Sequence, residues 1–138
     1  MNYDPRYLAG IRLFNDRDFF QAHDVWEELW NDCPNIDRRF HQGLIQAAVA
    51  LYHWSNGNWR GARRLFHSGR AYMSAYPDPH RGLAIGRFWQ QMERAAADVL
   101  KDPPPATEVR LNEDLAPRIE LDPPPTFWPD PHQLLPEE

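Results

Sequence analysis

Along the first hundred residues apolar positions recur every three to four residues, the pattern of helices that bury one face. Asp4-Pro5 is a helix start, with aspartate as N-cap and proline in the first helical position, and the spacing predicts a first helix to about Phe14, broken by Asn15-Asp16. A second helix is predicted from about Asp18 to Asn31, ending ahead of Pro34. A third runs from near Asp37 to Ser55, where Asn56-Gly57-Asn58 supplies a turn and a new cap. The fourth, Trp59 to about Ala75, carries apolar residues at positions 59, 62, 65, 66, 69, 72 and 73. Pro77-Asp78-Pro79 separates it from a fifth, about Arg81 to Leu100, with Ile85, Phe88, Met92, Ala96 and Val99 on one face. Strand alternation appears nowhere, so the expected fold is all-α, an antiparallel bundle of about five helices with short loops.

Composition changes this picture at one end. The chain has 138 residues and 14 prolines, and ten of the prolines follow residue 102. This predicts a helical bundle over 1–102 and an extended, partly polyproline II, acidic arm over 103–138. Leu111, Leu115, Ile119, Leu121, Phe127 and Trp128 are spaced along that arm, so parts of it should lie against the bundle or against a partner subunit, giving a homodimer through the arm. The aromatic residues of the body, Trp26, Trp30, Trp54, Trp59 and Trp89 among them, fall on helix faces and are expected in the core. Cys33 is the single cysteine, which excludes an internal disulfide and a stapled secreted scaffold. The first 20 residues carry arginines among acids and no apolar stretch, so no signal peptide is expected. The longest mostly apolar run, Leu44 to Tyr52, is far short of a membrane span. A soluble cytoplasmic protein without a membrane partner is the expectation.

The formal charge of −5 hides a division. Residues 1–37 sum to −5, residues 38–77 to +6 with no acid at all, residues 78–102 to zero, and the arm to −6. Arg60, Arg63, Arg64, His67 and Arg70 project on one side of the fourth helix, opposite its apolar residues. Such a face could take an anionic small molecule or an acidic protein. The net acidity of the chain argues against nucleic acid as the partner. The competing expectation is neutralisation by the arm, whose Glu108, Glu113, Asp114, Glu120 and Asp122 could lie along it.

Helical projection singles out a second constellation. On the second helix His23 sits at the border of the apolar face with Glu27 one turn later, while Asp24 and Glu28 point the other way. On the third, nearly all apolar, Gln42, Gln46 and His53 form one polar stripe. Buried polar side chains need partners, so one inward cluster of His23, Glu27, Gln46, His53 and Gln42 is expected across the contact of these helices. Imidazoles and a carboxylate converging on one point could hold a divalent transition metal such as zinc, nickel or manganese: His23, Glu27 and His53 as ligands, Gln46, Gln42 and Trp30 around them, and Glu28 or Glu27 as base if water fills an open position. The alternative is a satisfied polar network that fixes helix register and binds nothing.

These residues also carry a resemblance. The run FNDRDFFQAHDVWEELW, followed by FHQGLIQAAVALYHWSNGNWRGARRL, resembles the bacterial and archaeal domain-of-unknown-function family 309. The family's signature is His-x-x-x-Glu-x-x-Trp or Tyr, here His23, Glu27 and Trp30, and the second block offers Gln42, Gly43, Gln46, His53, Asn58, Gly61 and Ala62. The resemblance covers about residues 7–75. It implies a small all-helical fold and a location for the site, with metal binding suggested by the motif and no established reaction.

Overall fold

A computed structural model describes residues 2–101 and 110–136. Among them are six α-helices: α1 Pro5–Asn15, α2 Phe19–Asp32, α3 Asn35–Ser55, α4 Trp59–Met73, α5 Ile85–Ala95 and α6 Ala97–Leu100. No strand occurs among the described residues, only an isolated bridge between His80 and Leu83. No described helix is long and apolar enough to cross a membrane.

The expected start of the first helix holds: the Asp4 side chain accepts a hydrogen bond from the Arg6 amide, with proline at the first position. α1, α2 and α3 pack in sequence, and α3 makes its most extensive contact with α4. Two close approaches set these contacts. A Cβ on Gly10 would lie 2.0 Å from Nε1 of the fully buried Trp26, so α1 crosses α2 where only glycine fits. A Cβ on Gly43 would stand 2.9 Å from the Gly69 carbonyl oxygen, so α3 and α4 touch backbone to backbone. The Phe14 ring joins the layers, 5.3 Å from Phe19, 5.9 Å from Trp26 and 5.9 Å from Phe88. Trp26, Trp54 and Trp89 are buried and Trp30 and Trp59 pack partly buried against the same core.

The fifth helix differs from its expectation. Residues 81–84 are not helical, because Arg81 (φ 48°) and Gly82 (φ 76°) adopt the left-handed conformation and fold the chain into a tight turn closed by paired backbone bonds between His80 and Leu83. α5 then begins at Ile85, where the Asp78 carboxylate accepts from the Ile85 amide at 2.8 Å and the Gly86 amide at 2.9 Å.

The described part of the arm lies along its own chain. Leu111, Ala116, Ile119 and Leu121 are buried in the common core, whereas Leu115, Phe127 and Trp128 remain exposed. Asn15 clasps Ile119 through both backbone groups at 2.9 and 2.8 Å. Arg17 donates to the carbonyls of Pro117 and Ala116, Arg12 to that of Pro129, and Tyr3 to that of Pro123. Glu108 and the prolines at 103–105 lie outside the described residues.

Candidate functional site

His23 is positioned by α2, whose buried Ala22, Val25, Trp26 and Leu29 fix the helix against the core and leave the imidazole at its margin. Its Nε2 lies 3.1 Å from Glu27 Oε1, so the i, i+4 pair forms as the spacing requires. Its Nδ1 lies 3.2 Å from Asp24 Oδ1, and Asp24 therefore turns back toward the ring instead of away from it. The pair is not inward: the Glu27 side chain is 53% exposed and that of His23 18% exposed. His23, Asp24 and Glu27 each offer a ligand atom, all within 4.8 Å of one another. The Phe20 ring stands 5.3 Å from the imidazole and 5.1 Å from Tyr52 of α3, and both of these aromatics are exposed.

The other expected members are held elsewhere. Gln46 turns to α4, where its Oε1 accepts a short hydrogen bond from the Ser68 hydroxyl. His53 sits at the end of α3, its Nδ1 3.4 Å from the Asn58 amide that caps α4. Gln42 is half-buried on α3, and Glu28 is exposed. Trp30 is half-buried under the Arg38 guanidinium, 4.1 Å above its ring, with its Nε1 enclosed and unpaired among the described residues. The single inward cluster expected from the helical projection is therefore replaced by three separate pairings.

The arginines of α4 are not masked by the described arm. Arg60 lies over its neighbour Trp59 at 5.3 Å, and among the described acids Arg70 reaches only Glu93 of α5, at 3.9 Å. No ion pair joins Arg60, Arg63 or Arg64 to a described acid. The described arm takes another route because its own backbone groups anchor it, carbonyls caught by Arg12, Asn15 and Arg17 and the Ile119 amide held by Asn15, with no described carboxylate taking part.

A further polar centre was not anticipated from the sequence. Asp37, in the first turn of α3, is buried, with Oδ1 2.8 Å from His80 Nε2 and Oδ2 receiving Arg81 Nη2. Burial works to raise its pKa, but the hydrogen bonds from His80 and Arg81 outweigh that and hold the carboxyl below its usual value. One turn on, His41 is only 6% exposed, wedged between Tyr7 and Phe40, with Nδ1 enclosed and unpaired among the described residues. Burial lowers its pKa to about 4, so the ring is neutral at pH 7. The available signal was the Asp37/His41 spacing of four at the start of the third helix. The partners at 80 and 81 lie too far along the chain for periodicity to connect them.

Residues 7–65 match a family described as "Domain of unknown function (DUF309)". Over 98 residues the chain is 39% identical to the uncharacterised protein YpuF of Bacillus subtilis, covering 66% of this chain and 55% of that protein. Over 81 residues it is 31% identical to an uncharacterised protein of Aquifex aeolicus, covering 58% of this chain and 24% of that one. The chain thus spans about half of the first relative and a quarter of the second.

Proposed function

Since residues 7–65 belong to the DUF309 family, whose description names no reaction, we propose on chemical grounds that this protein binds a divalent transition metal through His23 and Glu27. One observation carries the reading: imidazole Nε2 and carboxylate Oε1 face each other at 3.1 Å on one helix face, while a second carboxylate, Asp24, backs the other ring nitrogen at 3.2 Å. A carboxylate on the far nitrogen fixes the tautomer and raises the basicity of the ligating one, an arrangement common behind metal-bound histidines. The mixed nitrogen and oxygen donors suit zinc, nickel or manganese. His53, which pairs with Asn58, is not required, so two protein donors leave the remaining positions to water or to a small-molecule ligand. A cytoplasmic setting, suggested by the lone free Cys33, belongs to the same reading.

The test is elemental analysis of untagged protein with melting curves before and after chelation. A metal present at a hundredfold excess over its Kd stabilises the native state by about 2.7 kcal/mol, which raises Tm by several degrees. Glu27 is exposed, so Glu27→Gln should fold normally and lose that rise. Protein without stoichiometric metal, whose Tm ignores added zinc, nickel and manganese, refutes the reading and leaves the His23 network as structural.

A second reading is a non-catalytic interaction module that uses the arginine face of α4. It is favoured by the route of the described arm, which leaves Arg60, Arg63 and Arg64 without carboxylate partners among the described residues. The expected partner is an acidic protein or anionic small molecule. Arg63→Glu with Arg64→Glu should abolish salt-dependent retention on a polyglutamate matrix; retention equal to that of the parent chain rules it out.

A further inference from the structure

The N-terminal ends of α1 and α3, the C-terminal end of α2 and the turn at 80–83 meet around a cleft of about 250 Å³. Its acidic groups are already committed. Asp4 and Asp32 both bind Arg6, and Asp37 is divided between His80 and Arg81. The hydroxyl of Tyr7 is likewise spent, donating to the Arg81 carbonyl at 3.0 Å.

What remains unspent consists largely of donors. Arg81 uses only Nη2, on Asp37, so its Nε and Nη1 are unpartnered among the described residues, and its side chain is 48% exposed at the cleft. His41 lines the cleft, is more than nine-tenths buried, and no described group hydrogen-bonds to its ring. α3 begins after Pro34, which supplies no side-chain cap, so the amides of Asn35 and Ile36 also point toward this end, while that of Asp37 donates to the Pro34 carbonyl. Arg81 is held in the left-handed region (φ 48°), a conformation that costs energy for a residue with a Cβ and that recurs where a side chain must be aimed. Leu29 and Pro34 supply an apolar wall.

We propose that this cleft binds a small carboxylate, its oxygens taken by the free edge of the Arg81 guanidinium and by the His41 imidazole, and its short aliphatic tail lying against Leu29 and Pro34. A guanidinium edge presents paired N–H groups that match the two oxygens of a carboxylate. A neutral imidazole donates one N–H, and the ligand relieves a buried polar group of its missing partner. Asp37 is what holds the guanidinium in place, so the ligand meets an arginine whose position is fixed before binding.

The probe is sodium propionate, titrated into the full chain, with propionamide and n-propylamine as neutral and cationic molecules of the same size. Imidazole ¹H–¹⁵N spectra and Tm are the readouts. Propionate should move the His41 resonances saturably in the millimolar range and raise Tm, while the other two leave both unchanged at equal concentration. Arg81→Gly suits the left-handed backbone and should weaken binding at least about tenfold. Because that change also removes a partner of Asp37, His41→Phe serves as the second variant; it keeps the ring packing and the Asp37–Arg81 pair, and should weaken binding similarly. A response to propylamine equal to that to propionate, undiminished binding in both variants, or no saturable response to propionate would each overturn the assignment.

Discussion

His41 folds in its neutral form because burial holds its pKa down to about 4, against an ordinary value of 6.5. Among its neighbours Asp37 and Asp4 pull that value up, while Arg81 and His80 push it down. Between these two pH values the unfolded chain binds a proton that the native state refuses. Stability therefore falls as pH drops from 6.5 toward 4, levels off below that, and is complete above 6.5; the whole span is worth about 3 kcal/mol. Asp37 acts with the same sign lower down: its stabilisation is present above about pH 4 and is lost as pH falls through its depressed pKa. His41→Phe should flatten the dependence of unfolding free energy on pH between 4.5 and 6.5 and leave the loss below pH 4 in place. Urea denaturation at several pH values measures this, and an unchanged slope would show that His41 is not the group responsible. At the same scale the sequence made His23 and Glu27 legible, because residues four apart on a helix must be neighbours. It could not reveal that Asp24, one residue on, turns back to the other ring nitrogen, since helical projection gives the direction of Cβ and not the side-chain rotamer.

The elements were legible wherever local chemistry decides them. Asp4-Pro5 and Asn58 cap α1 and α4 as their types require. The fifth helix starts later than its apolar spacing predicts because its cap is remote: the Asp78 carboxylate reaches Ile85 and Gly86 across a turn made by Arg81 and Gly82. The polar stripe predicted on α3 does not turn as one toward α2: Gln46 bonds Ser68 of α4 and His53 meets the Asn58 cap. Gln46 faces α4, where a Cβ on Gly69 would lie 3.2 Å from the Gln46 Cβ, because Gly43 and Gly69 bring the backbones of α3 and α4 into contact. That approach has a measurable consequence. A Cβ on Gly43 meets the Gly69 carbonyl at 2.9 Å, and backbone cannot step aside as a side chain can. Gly43→Ala should force the helices apart at a cost of about 1–3 kcal/mol, read as a lower urea midpoint with little change in m-value, although alanine is the better helix former. A midpoint at or above that of the parent chain would mean that the helices separate freely.

Over the whole molecule, proline content and charge divided the chain near residue 102, and both properties suggested where the arm should go. Electrostatic complementarity pointed to the arginines of α4, since +6 over residues 38–77 faces −6 in the arm. The described arm instead runs past α1 and α5. Backbone hydrogen bonds and apolar burial decide the route because exposed ion pairs are worth about 1 kcal/mol or less, whereas burying one large aliphatic side chain is worth about 1.5–3 kcal/mol. An extended, proline-rich segment has no helix or sheet to absorb its carbonyl groups, and Arg12, Asn15 and Arg17 on the bundle supply the donors that its conformation leaves wanting. Arg17 does so from a left-handed backbone position (φ 70°), which turns the chain between α1 and α2 and aims its guanidinium at the carbonyls of Ala116 and Pro117. If the arm is part of the core, its apolar residues must behave energetically like those of the helices. Ile119 is 3% exposed and its backbone is clasped by Asn15, so Ile119→Ala should cost about 2–4 kcal/mol in equilibrium unfolding, with a single cooperative transition. Leu115, 48% exposed on the same arm, is the internal control, and Leu115→Ala should change stability by less than about 0.5 kcal/mol. Equal and small effects at both positions would detach the arm from the fold, and with it the reason that the described arm leaves the arginine face of α4 uncovered.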